Sequence, residues 1–211
     1  MRQSPVAGLA EKAGAQFAGR QGWREVVSYS TVEAEVPVLR SGAALADESA
    51  NGKLLLEGAE AASVLQLAFG GEPPRLGFGS PIEAGSAYRL REDLLFLSIL
   101  PAEEQSTLER LEAAATDSGH FVTATDITDG RFEFRLIGPD ARQLLGRFCA
   151  LDFLPDSFPN HSARQTLLAK VTALVIRRDL GELPAFSLIG ARSLGAYLWE
   201  LLVHGGRPPV E

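Results

Sequence analysis

The residue types that could do chemistry are few in this chain, and they stand apart. His120, His161 and His204 are far from one another, with no His-x-x-x-His spacing and no Cys-x-x-Cys pair beside them. A transition-metal site needs three or four ligands, so no metal-binding residue is assigned. Cys149 is the sole cysteine. A single thiol makes no internal disulfide and fits a reducing, cytoplasmic setting. With no paired base or basic cluster beside it, it reads as a small core residue rather than a thiolate. Gly70-Gly71 and Gly77-Phe78-Gly79 lack both the G-x-G-x-x-G fingerprint and the Gly-Lys-Ser/Thr of a phosphate loop, so they read as turns. Asp126, Asp129 and Asp140 are candidate carboxylates. Asp129-Gly130 is a hairpin-turn signal, and Asp140 suits the first turn of a helix. Arg177-Arg178-Asp179 reads as a solvated strand end, and no Gly-x-Ser-x-Gly elbow is present. No catalytic residue is assigned.

Composition narrows the class. The chain has 211 residues, 45% hydrophobic and 22% charged, with a formal net charge of −7. That supports one sizeable core or two half-cores sharing an interface. The acidic balance argues against nucleic acid or an anionic membrane as partner, since both need a dense cationic face. No apolar run approaches the ~20 residues needed to cross a bilayer.

The elements that must position these residues follow from periodicity. Residues 1–25, rich in Ala, Gly and Gln, read as a flexible N-terminal arm. Ser30-Thr31-Val32-Glu33 has the form of a capping box. Pro37 implies a kink or restart in the helix that follows, which ends near Gly42. Leu54-Leu55-Leu56 marks a buried strand, and Ala59 to Phe69 a helix. Glu72 to Gly85 is a loop. Ala87 to Leu90 and Leu94 to Leu100 are paired strands, and a helix runs from Pro101 to about Thr116. Phe121 to Asp126 and Arg131 to Ile137 read as strands, and Gly138-Pro139-Asp140 starts a helix to about Cys149. Gln165 to Leu168 and Val171 to Arg177 form a hairpin around Ala169-Lys170. Phe186 to Ile189 is a strand and Ser193 to Val203 the last helix. Gly205 to Pro209 cannot continue a helix, so residues 205–211 read as a tail.

Two matches in the same order mark a duplication. Gly58-Ala59-Glu60-Ala61 parallels Gly138-Pro139-Asp140-Ala141, and Arg91-Glu92-Asp93-Leu94 parallels Arg177-Arg178-Asp179-Leu180. The expected fold class is α+β, built from duplicated strand–helix–strand units. Residues 26–204 form a single domain with halves at about 26–118 and 119–204.

Short motifs in a fixed order carry a family resemblance. Tyr29-Ser30-Thr31-Val32-Glu33-Ala34-Glu35, Gly42 to Lys53, and Gly58-Ala59-Glu60-Ala61 resemble the opening of the aminomethyltransferases, which include the glycine-cleavage T protein. Gly138 to Arg142, Cys149-Ala150-Leu151-Asp152, Phe158-Pro159, Gln165 to Ala169 and Tyr197 to Glu200 resemble the gamma subunit of heterotetrameric sarcosine oxidase. The resemblance implies a folate-binding-type fold and an oxidase that demethylates sarcosine, with tetrahydrofolate accepting the one-carbon unit.

Departures from the pattern bear on catalysis. The T protein carries an acidic pair on a long hairpin, needed to activate the folate amine. The matching stretch here, Ser80 to Ser86, lacks it. Gly181-Glu182 stands as the remnant of the family's Gly-Tyr-Thr-Gly-Glu. Glu182 is thus either a pterin contact or simply a turn acid. The chain ends where the T protein continues into its last domain, so a half-built pocket would bind weakly. The expectation is a non-catalytic, gamma-like accessory subunit. Its partners are larger flavin- and folate-binding subunits, with FAD, FMN and NAD held there and tetrahydrofolate alone left open for this chain. The alternative is a stand-alone tetrahydrofolate-binding, aminomethyltransferase-like protein. A homodimer is left open as the assembly where the partners are absent.

Overall fold

Strands form in this chain where apolar residues run on or alternate, and helices where they recur every three to four residues. A computed structural model describes residues 1–205. In chain order the first elements are β1 (Arg2–Gln3), α1 (Ala7–Lys12), β2 (Gln16–Arg20), β3 (Trp23–Ser28), α2 (Val32–Ser41) and β4 (Ala44–Asp47). Next come β5 (Gly52–Glu57), α3 (Ala61–Phe69), β6 (Gly79–Ile82), β7 (Gly85–Arg91), β8 (Leu94–Ile99) and α4 (Glu104–Ser118). The last are β9 (Thr123–Asp126), β10 (Arg131–Ile137), α5 (Ala141–Gly146), β11 (Ala163–Leu168), β12 (Val171–Arg177), β13 (Ala185–Ala191) and α6 (Gly195–Val203).

The chain forms two compact units. One takes residues 1–50, 130–160 and the described residues from 165 on; the other takes 51–129 and 161–164. The first unit holds a five-stranded sheet of order β11-β12-β13-β10-β4. On β10, Phe132, Phe134 and Leu136 share one face by the two-residue period of a strand and are fully buried. The Phe132 and Phe134 rings stack at 4.5 Å, and Trp199 of α6 meets Phe134 edge-on at 5.0 Å. Burying each such ring contributes about 2–3 kcal/mol.

The expected flexible arm is instead part of this unit. β2 and β3 form a hairpin across Gln21 and Gly22, both at positive φ, and β1 adds to β3 in parallel. Trp23 is buried, and Val6 enters the main core. One large ring and a few small residues order the segment, which a search for long apolar runs overlooks. α2 departs from expectation as well. It runs unbroken through Pro37, and Ser30 makes no capping-box bond. Glu35 Oε1 instead accepts the backbone N–H groups of Tyr29 and Ser30 at 2.8 and 2.7 Å. It satisfies the donors ahead of the helix from its first turn.

The second unit has a sheet of order β6-β7-β8-β5-β9, with α3 and α4 over a core of Leu54, Leu56, Leu95, Leu97, Val64 and Leu111. β6 lies within the expected loop 72–85. Its Pro and Gly residues suit an edge strand rather than a loop alone.

The two sheets share one plan. Each joins a first strand, a helix, three antiparallel strands and a second helix, and each completes its sheet with an edge strand from the segment before the other repeat. β4 pairs with β10, and β9 pairs with β5. The matched glycines coincide in role. Gly58 and Gly138 have φ of 147° and 128°, and their carbonyls accept the N–H of the fully buried Ala61 and Ala141, each at 3.1 Å. α5 ends at Gly146 rather than near Cys149. Of the expected tail 205–211, residues 206–211 lie outside the described residues.

Candidate functional site

The second matched pair shows where the repeats diverge. In the first repeat β7 turns into β8 through Glu92 and Asp93 alone, and Arg91 Nε donates to Asp93 Oδ1 at 3.0 Å. In the second repeat the same Arg-x-Asp contact recurs between Arg177 and Asp179, but seven residues separate β12 from β13. The added residues form a turn with Glu182 at its tip.

That turn is clamped. Arg177 Nε and Nη2 donate to the two Asp179 carboxylate oxygens at 3.0 and 2.8 Å, and Nη1 donates to the Phe158 carbonyl at 2.8 Å. Arg177 is 8% exposed, so the expected solvated strand end is a buried ion pair. The Asp179 N–H donates to Asn160 Oδ1, and the Ala185 N–H donates to Asp179 Oδ1, both at 3.1 Å. Leu180 and Leu183 exchange backbone bonds of 2.9 and 3.1 Å, with Gly181 at φ 59° closing the bend. Glu182 is exposed on this rigid turn. A carboxylate there accepts paired N–H donors without first ordering its own loop.

A second set of charges lies in the same unit. Glu48, following β4, takes Arg135 Nη1 at 3.3 Å on one oxygen and Arg178 Nη2 at 3.2 Å on the other. Arg135 Nη2 also donates to the Arg178 carbonyl at 3.1 Å, which ties β10 to the start of the turn. Burial, together with the nearby Glu133 carboxylate, pushes Glu48 above the usual carboxylate range against the pull of the two arginines. A buried carboxylate raised in this way is a proton-holding group.

The folded chain holds the Glu48 proton more tightly than the unfolded chain. That contribution is fully present below the ordinary glutamate value of 4.5 and is lost as pH rises through the folded value. In urea titrations across that range, parent stability minus Glu48→Gln stability should fall as pH rises. A flat difference would remove the assignment.

The remaining sequence candidates fall at separate places. Asp126 Oδ1 accepts the Thr128 N–H at 2.8 Å, a turn role. Asp140 precedes α5 without a side-chain capping bond. Cys149 is buried, with Sγ 3.5 Å from Thr166 Oγ1. His161 and His204 are exposed and His120 is half-buried. Gly77 and Gly79 are pinned, since Arg164 Nη1 donates to the Gly77 carbonyl at 2.6 Å and Gly79 N–H donates to the His161 carbonyl at 2.8 Å. In Ser80 to Ser86 the one acid, Glu83, pairs with Arg110 at 2.7 Å. Among the described residues no group of three or more His, Cys, Asp or Glu side chains is placed to hold a metal ion. No described helix is long and apolar enough to cross a membrane.

Sequence reasoning missed the charges buried in the sheets. Lys53 and Glu133 are fully buried, and Arg135 pairs with Glu48. Their only sequence signal is a charged residue inside an otherwise apolar strand.

The profile of the GCVT N-terminal domain matches residues 7–209. An aminomethyltransferase of Shouchella clausii is 26% identical over 218 residues, covering 98% of this chain and 58% of its own length. The chain thus spans somewhat over half of that relative. The sarcosine oxidase subunit alpha of Rhizobium meliloti is 26% identical over 196 residues, 80% of this chain and 19% of that one. The glycine cleavage system aminomethyltransferase T of Bartonella henselae superposes with a TM-score of 0.81 at 22% identity, over 96% of this chain and 57% of that one. A chain of the heterotetrameric sarcosine oxidase of Corynebacterium sp. U-96, solved with pyrrole 2-carboxylate, superposes with a TM-score of 0.69 at 20% identity. That match covers 100% of this chain and 99% of the other.

Proposed function

Because the chain belongs to the GCVT N-terminal domain family, we propose that it serves as a non-catalytic, gamma-like subunit of a sarcosine-oxidase-type complex. One observation carries this reading: the match to a chain of a heterotetrameric sarcosine oxidase runs end to end on both sides. The hairpin Ser80 to Ser86 supports it. Its one acid, Glu83, pairs with Arg110 at the surface, and the acidic pair that would activate an amine is absent from this stretch. In this reading FAD, FMN and NAD belong to larger partner subunits, which also carry the folate site, and the complex oxidises an N-methyl amine. Co-expression with flavin-bearing subunits encoded beside it should yield a stable complex of fixed stoichiometry. Recovery of the chain alone as a partner-free oligomer, in the presence of those subunits, would overturn the proposal.

A second reading is favoured by the clamped turn: a stand-alone tetrahydrofolate binder with Glu182 as the pterin contact. Calorimetry with tetrahydrofolate on the isolated chain separates the two. Saturable heat, weakened about tenfold in Glu182→Gln, supports the second; a tenfold loss is about 1.4 kcal/mol. No heat at high ligand concentration leaves the first.

A further inference from the structure

In the first unit, a groove of about 300 Å³ runs between β3, α2 and β4. That volume is at the lower end of small-molecule sites. Its floor is apolar, with Val36 and Leu39 from α2, Leu45 from β4 and Ile137 from β10. α2 has no fully buried residue, so its inner face is covered only in part. Ser28, Tyr29, Glu35 and Asp47 supply the polar side chains. Among the described lining residues the two charged ones are both carboxylates, and neither Lys nor Arg lines the groove.

These acids are held in place rather than loose on the surface. Glu35 is fixed by the backbone N–H groups of Ser30 and Tyr29, and these hold its carboxyl below the usual range, so it remains charged. Asp47 lines the groove, and its Oδ1 accepts the Ser49 N–H at 3.1 Å, a bond that does not involve Oδ2. Burial, then Asp47 and Glu35, push the Tyr29 phenol up, which places the phenol in the field of both carboxylates. Its ring offers a face to a cation. Two fixed negative charges over an apolar floor, with no Lys or Arg among the described lining residues, complement a positive group carried on an apolar body.

The geometry points to a binding site for an organic ammonium ion, a primary or secondary amine with an apolar substituent about the size of a benzyl group. Its N–H groups donate to Asp47 Oδ2, its charge is balanced by Asp47 and Glu35, and its apolar body covers Val36, Leu39 and Leu45. The site is separate from the turn that carries Glu182, and it holds under either reading of the overall function.

The test is nitrogen-15 NMR of the full chain titrated with benzylammonium chloride, with neutral benzyl alcohol as the matched control. Saturable shifts are expected at the amides of Val26 to Tyr29 and Ala44 to Asp47, with the alcohol at least about tenfold weaker. Asp47→Asn should lower the ammonium affinity about tenfold, as expected for loss of a charge-assisted bond. Tyr29→Leu, at a side chain already 38% exposed, should weaken it a few-fold while leaving the rest of the spectrum unchanged. Equal affinity for alcohol and ammonium, no saturation below about 10 mM, or an Asp47→Asn variant that binds like the parent would each overturn the assignment.

Discussion

Replacing Gly138 with alanine is expected to cost about 4 kcal/mol of folding stability. At φ 128° an L-residue is strained whatever space surrounds it. Here there is no space. A Cβ would run into the Gly42 carbonyl oxygen and sit 3.0 Å from the Leu39 carbonyl oxygen. Both acceptors are backbone at the end of α2, and Gly42 is already committed, since its carbonyl accepts the Asp140 N–H at 3.1 Å. Relief requires moving α2 or the start of α5. Gly146→Ala, with nothing within 4 Å of the new methyl, is the control and should be neutral or slightly stabilising. Urea unfolding of the two variants beside the parent gives both numbers. A loss below about 1 kcal/mol in Gly138→Ala would mean that this junction is not the tight crossing described.

Asp179→Ala should cost about 3 kcal/mol and loosen the turn that bears Glu182. The substitution leaves the Arg177 guanidinium, with its side chain 10% exposed, without its carboxylate. It also removes the acceptor for the Ala185 N–H. Most of the cost is the stranded charge rather than the worth of the pair. The double variant Arg177→Met/Asp179→Ala should therefore be more stable than Asp179→Ala alone, by about 1–2 kcal/mol. Hydrogen exchange at Leu183 and Ala185 should speed up in both. Additive losses in the double variant would show that the two side chains act independently.

These two sites illustrate what can be read from sequence. The Gly58 and Gly138 junctions were legible because a glycine between a strand and a helix leaves a backbone signature, and its repetition fixed the register of the duplication. The Arg-x-Asp parallel was legible, but its burial was not. Charged residues at a strand end look solvated unless one knows that the Phe158 carbonyl, from a distant loop, accepts from Arg177. The Glu48–Arg135–Arg178 set was invisible for a related reason. It depends on β4 pairing with β10, a long-range choice that local pattern does not encode. The N-terminal hairpin was missed because its order rests on Trp23 and on φ values at Gln21 and Gly22 rather than on an apolar run.

The traded edge strands bear on how the chain is made. Emerging from a ribosome, β4 appears long before β10, the strand it will flank. The sheet around β5 likewise has a bare side until Asp126 is clear of the exit tunnel. A nascent chain stopped near residue 119 therefore displays an unpaired ladder on β5, with the hazard of sticking to other nascent chains. The β5 sheet closes only when β9 follows the rest of its repeat, and the β10 sheet only with β13, although its edge strand β4 is made first, so truncation before Asp126 leaves both sheets incomplete.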